Sequence, residues 1–180
     1  MIHTKTWDSR VSVSEEMRED AAEDRRRFLA GVYRESGAQL YRYALMILAH
    51  RGDAEDVLQQ VFAAALGKAP RREIADPAAY FRTAVRNAAY SLLRQRRTAR
   101  AAEELLLEPV AGGCSPLEQG ALEQALKALP PEQREVVHLH VYEGMTFQEV
   151  ANATGESINT VSARYRYAVD KMRRLLGPTG

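Results

Sequence analysis

The sequence predicts an all-α protein made of two small helical domains joined by a flexible linker. Three observations lead there. Apolar residues recur three and four apart through several long stretches, as in helices that bury one face. The apolar–polar alternation of a half-buried strand is missing. After about Leu107 the helical pattern fades into EPVAGGCSP, rich in proline, glycine and small residues.

Residues 1–24 are polar and weakly patterned, and are expected to form a mobile or partly helical extension. The extension is acidic: Asp8, Glu15, Glu16, Glu19, Asp20, Glu23 and Asp24 stand against Lys5, Arg10 and Arg18. The first domain is expected over 25–100. Its first helix should run from about Glu23 to His50, with Leu40, Tyr43, Ala44, Ile47 and Leu48 as the buried stripe. The HRGD segment reads as a turn, with Asp53 capping a second helix. Ala54, Val57, Leu58, Val61, Phe62, Ala65 and Leu66 form its stripe. GKAPRRE is a connector. Asp76 and Pro77 then supply a cap and a first-turn proline for a third helix, whose inner face is Phe81, Ala84, Val85, Ala88 and Leu92.

The linker is assigned to 101–116 and the second domain to 117–176. Leu122, Ala125, Leu126 and Leu129 make one stripe. Pro130-Pro131 break it and open a helix carrying Val136, Val137, Leu139 and His140. Beyond Gly144, Thr146 and Glu149 have capping-box spacing, Gly155 sits at a helix end, and Ser157 can cap the last helix. Ile158, Val161, Tyr165, Ala168 and Met172 should face inward. Asn159, Thr160, Ser162, Ala163, Arg166 and Tyr167 should face largely outward, with Arg164 near the boundary. This is a helix-turn-helix, which lays its second helix in the major groove of DNA.

Composition narrows the classes. Charged residues at 27% and a net charge of +1 are ordinary for a soluble protein. No apolar run is long enough to cross a bilayer, and the start lacks the order of a secretion signal. The single Cys114 cannot form an internal disulfide, which fits the cytoplasm. The modest net charge hides segregation: Arg82, Arg86, Arg94, Arg96, Arg97 and Arg100 fall in a stretch without an acid. Local cation density of this kind favours phosphate.

Three segments, in order, carry a family resemblance: DAEDVLQQVFAAAL, DPAAYFRTAVRNAAYSLLRQRR, and LKALPPEQREVVHLHVYEGMTFQEVA with TVSARYRYA beyond it. Together the chain resembles a bacterial sigma factor of the extracytoplasmic-function group over about residues 25–176. The resemblance implies sigma regions 2 and 4 as the two domains. It also implies binding to core RNA polymerase, recognition of minus-10 and minus-35 promoter DNA, and promotion of DNA opening without covalent chemistry. An anti-sigma factor is a further expected partner. No cofactor, metal or small-molecule substrate is expected.

Residue by residue, the resemblance assigns polymerase docking to the helix bearing Asp53, Asp56, Gln59 and Gln60, where Gln60 replaces a common Glu. It assigns single-stranded promoter DNA to Tyr80, Arg82, Arg86, Asn87 and Tyr90. Asn87 belongs to a pocket for a flipped base, and Arg82 and Arg86 hold the strand backbone. Such a face fits the chemistry, because aromatic stacking and a cationic groove offset the cost of unstacking bases. Duplex promoter DNA falls to Asn159, Thr160, Ser162, Ala163, Arg164, Arg166 and Tyr167. Ser162 stands where Lys or Arg is frequent, Ala163 where Ser is common and Tyr167 where Arg is common, so an unusual upstream preference is expected.

Two other classes compete. A stand-alone helix-turn-helix regulator would need a dimer interface or effector pocket, and neither is evident. An enzyme acting on nucleic acid would need clustered acids with metal-ligand logic, which the sequence lacks. His138 and His140 lie two apart and cannot share a metal on a helix.

Overall fold

The computed structural model describes residues 8–67, 74–103 and 120–177. Among them every regular element is a helix and no strand occurs. The connector at 68–73, the linker from 104 onward, Cys114 and the helix start near Leu117 lie outside the described residues.

Helix α1 spans Asp8–Leu48 and begins well upstream of Glu23. No glycine or proline interrupts Asp8 to Ala30, and this stretch is rich in Glu, Arg and Ala, so the helical ladder continues through the acidic residues. Glu23 and Asp24 pair with Arg26 and Arg27 one turn on, each exposed pair adding a few tenths of a kcal/mol. Helix α2 spans Arg51–Gly67 and folds back along α1 after Ala49, which takes φ +53°. Arg25 donates to the Leu66 carbonyl at 3.0 Å and so satisfies part of the open end of α2.

Asp53 does not cap α2, contrary to the sequence expectation. The helix starts earlier, and the imidazole of His50 accepts the Asp53 N–H at 3.2 Å instead. Leu66, expected inward, is 47% exposed in the last turn. Helix α3, Pro77–Glu103, begins as predicted: the Asp76 carboxylate accepts the Ala79 N–H at 3.0 Å, and Pro77 is the first helical residue. It runs past Arg100 into the stretch assigned to the linker.

The second half contains α4 (Ala121–Lys127), α5 (Pro131–Val137), α6 (Phe147–Thr154) and α7 (Ile158–Leu176). Between α5 and α6 the chain makes a π-helical turn, His138–Tyr142. The Glu143 N–H donates to the His138 carbonyl at 3.1 Å, five residues back. This wider turn sets the His138 and Glu143 side chains together. Leu122, expected inward, is 56% exposed in the first turn of the short α4.

The two halves are packed together. Helix α1 lies against α2, α3 and also α5, and α3 touches α6. Ile47 and Val85 from the first half share one buried cluster with Val136, Leu139, Val150 and Val161 from the second. Fully burying such a side chain is worth roughly 1.5–3 kcal/mol. Among the described residues no helix is long and apolar enough to cross a membrane.

Candidate polymerase and nucleic-acid interfaces

The first candidate surface is the outer face of α2. Glu55, Asp56, Gln59 and Gln60 are exposed, one turn after another. Glu55 and Gln59 border an open groove of about 620 Å³ whose far wall is Tyr33, Arg34, Ala38 and Tyr41 of α1. Asp53 leaves this set: its buried carboxylate is taken up by the Arg96 guanidinium, Nη2 to Oδ1 at 2.6 Å. It therefore joins α2 to α3 rather than facing outward. Beneath this face Phe62 stacks on Phe81 with ring centres 4.7 Å apart, and Tyr33 meets Phe62 edge-on at 5.2 Å.

The second candidate surface is on α3. Tyr80 is 49% exposed, with its ring set against buried Phe81 at 5.3 Å, and Asn87 is exposed. Arg82, Arg86 and Tyr90 are drawn instead toward the second half of the chain. Glu135 of α5 is fully buried. Its Oε1 accepts from Arg86 Nε at 2.7 Å and from the Tyr43 hydroxyl at 2.5 Å. Its Oε2 accepts from the Tyr90 hydroxyl at 2.7 Å and from Arg86 Nη2 at 3.3 Å. Arg82 pairs with Glu143 at 3.4 Å, and Gln39 and His138 also bond that carboxylate, at 2.8 and 3.2 Å.

The titration behaviour follows from this geometry. Burial and the Glu135 charge push the Tyr43 and Tyr90 hydroxyls far above the ordinary tyrosine value, so both remain donors. Burial works against the Arg86 charge, but the bond to Glu135 outweighs it and holds the group above its ordinary value. Burial likewise pushes Glu143 up, yet His138, Arg82 and Gln39 together hold it below its ordinary value.

Arg134 precedes Glu135 and does a complementary job. Its guanidinium, mostly buried, donates to the carbonyls of Met46 and Ile47 at 2.7 and 2.8 Å. It donates also to those of Lys127 and Leu129, both at 3.0 Å. These carbonyls end α1 and α4, where backbone acceptors lack helical partners and the helix dipole favours a cation. Burial lowers the Arg134 pKa. Neither Arg134 nor Glu135 emerges from the sequence pattern, because charged residues beside an apolar stripe ordinarily face solvent.

The third surface is the closing helix pair. Thr146 and Glu149 form the predicted capping box, with the Thr146 N–H bonded to Glu149 at 2.8 Å. Gly155 ends α6 at φ +71°, and Ser157 caps α7 by accepting the Thr160 N–H at 3.1 Å. Val161 and Ala168 are buried as expected. Ile158 is not; it sits at the first helical position, 43% exposed, before α7 reaches its packing partners. Asn159, Arg166 and Tyr167 are exposed, while Thr160, Ser162, Ala163 and Arg164 are half-buried. Arg164 pairs with Glu156 at 3.1 Å, and the Arg166 guanidinium lies 5.7 Å from the Tyr167 ring centre. His140 packs on Phe147 and Tyr165 while His138 meets Glu143, so the two imidazoles have separate surroundings.

Residues 32–99 match the family model for Sigma-70 region 2, and residues 125–174 that for Sigma-70, region 4. The chain is 30% identical over 142 residues to the RNA polymerase sigma-E factor of Streptomyces coelicolor (strain ATCC BAA-471 / A3(2) / M145), covering 76% of this chain and 79% of that protein. This chain belongs to the sigma-70 family of RNA polymerase sigma factors. It falls in the extracytoplasmic-function group, and the stand-alone regulator is set aside. A second relative is the RNA polymerase sigma factor SigV of Bacillus subtilis (strain 168), 27% identical over 136 residues, covering 74% of this chain and 81% of that one.

Two solved structures are similar. One is the sigma factor RpoE in complex with the anti-sigma factor NepR from Bartonella quintana: TM-score 0.63, 26% identity, covering 86% of this chain and 97% of that one. The other is CnrH in complex with the cytosolic domain of CnrY: TM-score 0.56, 25% identity, covering 88% and 93%. In sigma-factor terms, α1–α3 carry region 2 and α4–α7 carry region 4.

Proposed function

We propose that this sigma factor docks on core RNA polymerase through the exposed α2 face of Asp56, Gln59 and Gln60. Region 2 then captures the minus-10 element as a single strand. Tyr80 and Tyr90 supply aromatic rings, Asn87 a base-edge partner, and Arg82 and Arg86 contacts to the backbone. Region 4 reads the minus-35 duplex with the outer face of α7, from Asn159 to Tyr167. The protein performs no covalent chemistry. Its work is done by differential binding in the cytoplasm, and two weak DNA modules on one chain raise each other's effective concentration.

The observation that carries this reading is the free outer face of α7, capped by Ser157 and exposing Asn159, Arg166 and Tyr167, in one chain with a region 2 match. Half-buried Ser162 supports a narrower statement: without a cation there, one bidentate guanine contact, worth about 1–3 kcal/mol of discrimination, is absent. The RpoE–NepR complex supports an anti-sigma protein as a further partner. Co-purification with core polymerase followed by run-off transcription tests the reading. A stable complex and promoter-dependent transcripts are expected. Failure to bind core polymerase at micromolar concentration contradicts it.

A further inference from the structure

The stretch of α7 from Ile158 to Val169 holds Arg164 and Arg166 as its cations and has no acid. Arg164 is not free. Glu156, in the turn just before α7, takes its guanidinium, Nη2 to Oε1 at 3.1 Å. The turn fixes this acid from both sides. Gly155 ends α6 at φ +71°, the Glu156 N–H donates to the Ala151 carbonyl at 3.1 Å, and Ser157 caps α7. Long side chains on a helix lean toward its N-terminus, which brings the Arg164 guanidinium back to the turn.

A phosphate approaching Arg164 must displace a carboxylate and then sit beside it. Like charges set side by side oppose binding. A base edge carries no net charge and meets no such penalty. Among the described residues only Nη2 of the Arg164 guanidinium is engaged, so the group keeps further N–H donors for a neutral acceptor. Both side chains are half-buried, so salt screens the pair less than a fully exposed one.

We propose that Glu156 is a specificity-determining residue: it holds Arg164 off the phosphate backbone and leaves it to read a base edge. Arg166, exposed beside Tyr167 and with no acid partner among the described residues, then serves as the phosphate cation of this stretch. The inference rests on the reading of α7 as the duplex-reading face.

The test uses the full chain and fluorescence anisotropy with two labelled duplexes. One is enriched from random sequence by wild type bound to core polymerase; the other has the same composition in scrambled order. Glu156→Gln keeps the length of the side chain and removes its charge. On the scrambled duplex it should bind at least about threefold more tightly than wild type at low salt. The slope of log affinity against log salt should steepen by about 0.9, as for one added phosphate contact. The gain on the enriched duplex should be smaller, so that the preference narrows. An unchanged slope, or equal gains on both duplexes, overturns the proposal. Glu156→Ala, judged by the same slope, covers a Gln variant that does not fold.

The effect has to pass through Arg164. In an Arg164→Ala background, Glu156→Gln should leave the slope where it was. The same steepening there would mean that the carboxylate repels phosphates directly, and overturns the role given to Arg164. Arg166→Ala separates this inference from the reading beneath it. If Arg166→Ala leaves duplex binding unchanged, the reading of α7 fails and the inference with it. If it weakens binding while Glu156→Gln changes nothing, only the inference fails.

Discussion

The Tyr43 hydroxyl of α1 donates to the Glu135 carboxylate of α5, 92 positions on in sequence, at 2.5 Å. The bond ties the end of region 2's longest helix to the acid that occupies Arg86 and Tyr90. A hydrogen bond to a charged group contributes about 1.5–3 kcal/mol. Tyr43→Phe keeps the ring and removes only the donor, so it should destabilise the free chain by about that amount. Urea unfolding followed by circular dichroism measures it, and an unchanged midpoint would mean that the bond carries no load.

Arg134 should be still less tolerant. Arg134→Met leaves the carbonyls of Met46, Ile47, Lys127 and Leu129 without their donor. Each buried acceptor left unpaired costs about 1–3 kcal/mol, so a loss of about 3 kcal/mol or more is expected. Arg134→Lys keeps the charge but not the planar fork, and should recover only part of the loss. Thermal unfolding of the two variants beside wild type separates charge from geometry.

The helix pair depends on local chemistry that was legible in the sequence. Asp76-Pro77, the Thr146–Glu149 box and Gly155 each act within a few residues of themselves, so residue type and spacing suffice to predict them. The contacts between the two regions were not legible. Arg134 and Glu135 follow a Pro-Glu-Gln turn and look like surface charges; only the meeting of α1, α3 and α5 makes them buried partners. Asp53 misled for the opposite reason. It has the right type for a cap, but Arg96, 43 residues on, claims its carboxylate while His50 caps the helix. The outer face of α7 was read correctly at Asn159, Arg166 and Tyr167, because a helix at a surface follows its own period.

Gly155→Ala should lower stability by roughly 1–2 kcal/mol, because φ +71° crowds a Cβ against the backbone. The nearby space is open, so backbone strain is the whole cost. Calorimetry on the variant measures it. A neutral result would mean that the turn relaxes to another conformation.

Acid should loosen the contact between the regions through Glu143. Its native pKa lies below its ordinary 4.5 despite burial, because His138, Arg82 and Gln39 favour the carboxylate. The native state therefore binds fewer protons than the unfolded chain in that window. The stabilisation is complete above the ordinary value and is lost as pH falls through the lowered native value. Glu143→Gln should flatten this part of the profile. Unfolding midpoints collected from neutral to acidic pH test the difference between the two curves.

Arg166 is exposed on the outer face of α7, so Arg166→Ala should weaken duplex binding at low salt and reduce the magnitude of the salt slope by about 1. If binding falls on one sequence only, Arg166 reads a base rather than a phosphate.

Whether the two regions part when the protein works can be measured as a distance. Cysteines at Ala30 and Arg174, both exposed, in a Cys114→Ser background carry a fluorophore pair across the two regions. Free protein should give one short distance. Adding core polymerase and promoter DNA should move the population to a longer one as transcripts appear. An unchanged distance in an actively transcribing complex would contradict the strand contacts proposed for Arg82 and Arg86, which need both groups released from Glu143 and Glu135.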